Sequence, residues 1–166
     1  MAFKGKTLRV GELIARANAE PPIDWGTFST QNDVRWSIVD AARTCADLLR
    51  SGAPLSDCWR FGVLQTIDSY NFLVRSRGTR LAAQVFAAAP PRTGSRDVDA
   101  AFAALADHFA RRDGWTPEPW VLDPQRVTDR WYVADIPAFE HWVKAETPPA
   151  FAERGVWIAA NSLDRA

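Results

Sequence analysis

Six of the eleven prolines, at positions 117, 119, 124, 137, 148 and 149, follow Gly114. Proline fixes φ and donates no backbone hydrogen bond, so a segment interrupted this often supports only short helices or strands. Upstream, from 34 to 112, proline stands only at 54, 90 and 91, and apolar residues recur at helical spacing. That pattern predicts helices packed on one another. The expected fold is mainly α: a bundle of about five or six helices with an irregular Trp- and Pro-rich C-terminal segment laid over it. The stretch 90–96 (PPRTGSR) reads as a linker between a helical N-terminal region, 1–96, and a helix plus Trp/Pro-rich segment, 97–166. The two should form one compact unit, since 166 residues bury a core without disulfide or metal support.

Local signals assign the elements. Thr7 caps a first helix with Leu8, Val10, Leu13, Ile14 and Ala17 apolar, stopped by Pro21 and Pro22, and 23–29 is a connection. A second helix, capped around Ser29 to Asn32, presents Val34, Ile38, Ala41, Cys45, Leu48 and Leu49 on one face and ends at Ser51-Gly52. Between Pro54 and Ala89, Ser56 caps a helix with Leu55, Phe61 and Leu64 inward. Ile67, Tyr70, Leu73 and Val74 continue to Gly78, and Thr79 caps a stretch containing Leu81, Val85 and Phe86. Asp97 to Arg112 is a further helix with Val98, Ala101, Phe102, Leu105, Ala106 and Phe109 inward. In the tail, Pro137 opens a helix to Glu146 with Phe139, Trp142 and Val143 inward. Pro148-Pro149 opens a turn through Phe151, residues 156–159 form an extended piece, and Asn161 or Ser162 caps a last turn.

Charge excludes some functions. Lys and Arg number 20, Asp and Glu 20, which argues against non-specific nucleic-acid binding by the whole chain. No run of 18 apolar residues occurs, so no membrane span is expected. The first residues have neither a continuous apolar stretch nor a cleavage site, which together with only two cysteines, Cys45 and Cys58, points to reduced thiols in a cytoplasm. Cys45 lies on an apolar helical face and reads as a small hydrophobe. Phosphate-loop, dinucleotide, nucleophile-elbow, HExxH and CxxC patterns are all missing. Cys58 with a histidine and Asp107 is a catalytic arrangement on paper, without supporting spacing. Cys45, Cys58, His108 and His141 are too scattered for the paired ligands of a zinc site. The reading is therefore non-enzymatic, with no cofactor and no metal.

Binding is better supported. Eight tryptophans are present, five of them after Gly114: Trp115, Trp120, Trp131, Trp142 and Trp157. Tryptophan and arginine dominate interface hot spots, so these five form the candidate partner-binding set, with Arg126, Arg130 and Arg154 as its polar rim. Packing of the tail onto the bundle is the competing role for the same rings. Arg35, Arg43 and Arg50 are spaced by near-whole turns on the second helix and offer a solvated face or a nucleic-acid contact. A DNA-binding regulator, and a small-molecule domain with a Trp-lined pocket, are thus the alternatives to a protein-binding module.

The runs AFAALADHFARRDGWTPEPWV (101–121) and IPAFEHWVKAETPPAFAERGVWI (136–158), with Trp131 between them and a final SLDRA, resemble the C-terminal pattern of small actinobacterial antitoxin-like proteins encoded beside nucleotidyltransferase-type toxins. The likeness covers roughly residues 97–166, under half of the chain. It implies a helical adaptor whose tail contacts a protein partner, the toxin that it neutralises. Some proteins of that kind bear a helix-turn-helix; residues 1–96 carry no clear signature of one.

Overall fold

The computed structural model describes residues 34–133 and 140–164, within the second of the two units into which the chain divides, Val34–Ala166. The helix predicted after Thr7, the connection at 23–29, Pro137 and Phe139 lie outside the described residues. The fold is mainly α.

Helix α1 (Ile38–Arg50) begins at a capping box in which Ser37 and Asp40 each bond the other's backbone N–H, satisfying donors that the first turn leaves free. The helix thus starts at Ser37 rather than around Ser29 to Asn32, and Val34 and Arg35 precede it. Ile38, Ala41 and Cys45 are buried, as their spacing predicts.

A second helical run starts at Pro54, not at a Ser56 cap, and comprises α2 (Leu55–Cys58), a π turn (Trp59–Val63) and α3 (Leu64–Arg77). The π turn takes five residues where an α turn takes four, which moves the buried face onto Cys58, Trp59, Gly62, Val63, Thr66, Ile67 and Tyr70. Phe61, expected inward, is consequently 45% exposed. Gly62 is required at the crossing with α1, because a Cβ there would strike the Cys45 sulfur. Gly78, at φ 85°, ends α3 and occupies the cap position of α4 (Thr79–Ala82), so Thr79 is the first helical residue and not the cap. A 3₁₀ turn over Ala83–Phe86 follows.

Helix α5 (Arg96–Asp113) is capped by the Ser95 side chain and closed by Gly114 in the left-handed conformation. Every residue from Val98 to Asp107 is buried. A helix enclosed on all sides is a core helix rather than an amphipathic surface one. It meets α1 and the π turn on one side and tail elements on others. Tyr70 stacks on Phe109 with ring centroids 4.2 Å apart.

The tail is short pieces, as its prolines require: a 3₁₀ turn (Pro119–Leu122), β1 (Trp131–Tyr132), α6 (Glu140–Glu146), α7 (Pro149–Ala152), β2 (Val156–Trp157) and a last 3₁₀ turn (Ala160–Leu163). The last turn is entered from Ala159, so Asn161 and Ser162 lie inside it instead of capping it. β1 and β2 run parallel, Trp131 opposite Val156 and Tyr132 opposite Trp157. Gly155, at φ +75°, leads into β2 where a Cβ would collide with the Thr128 carbonyl. Among the described residues no helix is long and apolar enough to cross a membrane.

Candidate partner-binding surface

The five tail tryptophans divide by environment. Trp131 is in the core, 9% exposed, edge-on to Trp59 at 6.0 Å between centroids. Trp115 is half-buried, stacked on Phe86 at 5.8 Å, and its indole N–H donates to the Tyr70 hydroxyl at 2.9 Å. That hydroxyl donates in turn to Asp113 at 2.6 Å. Arg112, with help from Tyr70, holds the Asp113 carboxyl below its ordinary range, while burial and Asp113 push the Tyr70 phenol up. Trp120 is also half-buried and donates to the Phe86 carbonyl at 3.0 Å. Trp157 stacks on Tyr132 at 6.2 Å, with the Lys144 ammonium about 6 Å from both rings.

Trp142 differs from the other four. It is 55% exposed on α6, whose neighbouring Val143 is buried. The expectation that Trp142 faces inward is therefore corrected. Successive residues on a helix are turned by about 100°, and Val143 takes the inward position.

Two of the three rim arginines are buried. Arg154 donates to the Asp107 carboxylate at 2.8 Å, the Ala150 carbonyl at 2.9 Å and the Val121 carbonyl at 3.0 Å. Asp107 also receives both ends of the Arg111 fork, which continues to Glu153. Arg126 lies beneath the Trp120 ring at 5.3 Å and donates to the Pro90 carbonyl at 2.7 Å. Its Nε and Nη1 have no hydrogen-bond partner among the described residues. Burial, reinforced by Arg92, draws its guanidinium below the ordinary arginine range. Only Arg130 is exposed. For Arg154 the physical reason is Asp107: a carboxylate buried in α5 requires a buried cation. Its signal in the sequence is one Asp inside the apolar run Ala100–Ala106, Asp107, Phe109, and the tail's answering arginine is 47 residues away.

Arg35, Arg43 and Arg50 are all exposed, but Arg35 precedes the capped α1, so the three do not share one helical face. Arg43 lies 3.9 Å from Asp40, and Arg50 is paired with Asp47.

The thiols and imidazoles occupy separate places. Cys45 and Cys58 are buried and unbridged, each sulfur directed at the other's carbonyl oxygen, at 3.5 and 3.8 Å. Burial pushes both thiols up, away from the reactive thiolate. His108 lies on α5 against Phe109 and Phe151, and His141 is exposed on α6. Among the described residues no three His, Cys, Asp or Glu side chains converge as a metal site would require.

No protein-family model matches the sequence, and neither a curated protein nor a solved structure matches it.

Proposed function

We propose that this chain is a non-enzymatic protein-binding module and, on the resemblance of its C-terminal half, an antitoxin that neutralises a nucleotidyltransferase-type toxin. The observation carrying the reading is Trp142, held 55% exposed on a helix anchored from below by Val143. Tryptophan is among the residues most enriched at protein-interface hot spots. Arg130, exposed on the same tail, is the arginine available to a rim. A cytoplasmic setting belongs to the same proposal, in keeping with two free thiols. The DNA-binding alternative draws less support, because Arg43 and Arg50 each have an acidic neighbour one turn away.

The test is calorimetric titration of the full chain with a nucleotidyltransferase encoded beside its gene. Wild type should bind. Trp142→Ala should weaken binding by about thirtyfold, the worth of a 2 kcal/mol hot spot, with the variant still folded by circular dichroism. A wild type that neither binds nor relieves the toxin's growth arrest, or a Trp142→Ala variant that binds equally well, overturns the proposal. Salt-sensitive DNA binding abolished by replacing Arg35, Arg43 and Arg50 would put the regulator reading in its place.

A further inference from the structure

A concavity of about 370 Å³ lies between the segment 79–87 and the C-terminal end of α5. Its volume falls in the range of ligand pockets. Trp115 and Ala83 contribute apolar surface, and Asp113 lines it while committed to Arg112 and Tyr70. Five further polar side chains line it: Thr79, Arg80, Gln84, Thr116 and Glu118. None of the five makes a side-chain hydrogen bond or ion pair with a described residue. Charges of opposite sign thus border one cavity, more than 4.0 Å apart since they form no ion pair. The last turn of an 18-residue helix adds its partial negative charge beside them.

From this we infer that the cavity is a binding site for a small zwitterion of amino-acid size, its carboxylate taken by Arg80 and its cation by Glu118 and the end of α5. Arginine presents a planar fork matched to a carboxylate, and Trp115 offers an aromatic surface suited to a guanidinium. A basic amino acid satisfies all three. The site is independent of the partner-binding reading, because Trp142 and Arg130 do not line it.

The experiment follows the Trp115 indole N–H resonance, assigned with Trp115→Phe, as L-arginine is added to the full chain. Agmatine, which is arginine without its carboxylate, is the second probe. A saturable shift with L-arginine is expected, and a weaker one with agmatine. Arg80→Gln should weaken L-arginine about tenfold, one charged hydrogen bond's worth, and leave agmatine unchanged, whereas Glu118→Gln should weaken both. Both side chains are exposed, so the melting temperatures should match wild type. A shift that is absent or fails to saturate, or equal L-arginine binding by wild type and both variants, overturns the inference. None of these outcomes bears on capture of a toxin by Trp142.

Discussion

Within the helices between Ile38 and Asp113 the backbone's polar groups bond one another, and most side chains are left to pack. From Trp115 onward regular structure is so short that side chains carry much of that hydrogen bonding. Thr147 donates to the Val143 and Ile158 carbonyls and accepts from the Ile158 N–H. Arg154 holds the Ala150 and Val121 carbonyls, and Trp120 and Arg126 reach across to the Phe86 and Pro90 carbonyls that precede α5. The helical region thus rests on apolar volume, and the tail adds a few buried polar contacts whose individual loss is expensive. The contrast also explains why an extended covering survives on a bundle with so little sheet of its own, two strands of two residues each.

Removing the tail's charge partner is the most severe way to break this comparison. Asp107→Ala leaves Arg154 buried without its carboxylate and should cost about 3–5 kcal/mol in urea denaturation. A loss under about 1 kcal/mol would show that the tail rests on its apolar contacts alone. Next comes a volume error in the helical region. Gly62→Ala puts a methyl against the Cys45 sulfur and should cost about 1–3 kcal/mol. In a Cys45→Ala background the same change should cost distinctly less, and an equal cost in both backgrounds would locate the strain elsewhere.

Acid sharpens the contrast at the seam. Burial, then Arg112, holds the His108 imidazole below its ordinary value of 6.5. The unfolded chain therefore takes up a proton that the folded chain resists. The stability gained from the neutral ring is complete above 6.5 and is lost as pH falls from there through the folded value. The loss should vanish in His108→Gln when melting is followed from pH 8 to 5. The smallest effect belongs to the solvated arginines. Replacing Arg35, Arg43 and Arg50 by Gln should change stability by no more than about 0.5 kcal/mol each; a larger loss by denaturation would give the pairs with Asp40 and Asp47 a structural role.

What could be read in advance follows the same division. Ile38, Ala41 and Cys45, and Val98, Ala101, Phe102, Leu105, Ala106 and Phe109, are buried as their helical spacing predicts, but α5 is also buried on the faces that period assigned to solvent. Errors in the helical region come from local chemistry stronger than period: the Ser37–Asp40 box moves a helix start, and the π turn carries Phe61 outward. In the tail, period carries no information across pieces of four to seven residues. Burial there is decided by partners far along the chain: Trp59 for Trp131, Tyr70 for Trp115 and Asp107 for Arg154. Within the candidate surface, the residue types were legible and their orientations were not. Trp142 and Arg154 have exchanged the places expected of them, one turned outward and the other enclosed.

The π turn has a consequence for how this helix can change over generations. Five residues stand there where four would close an ordinary turn, and two of them, Arg60 and Phe61, face solvent. Excising Phe61 would relax the turn to α geometry while keeping Cys58 and Val63 on one side and Ile67 and Tyr70 in register with them. A one-residue deletion elsewhere in the same helix would rotate everything beyond it by about 100° and expose the core. Phe61 is thus the position at which this helix can shed a residue without redrawing the rest of the molecule.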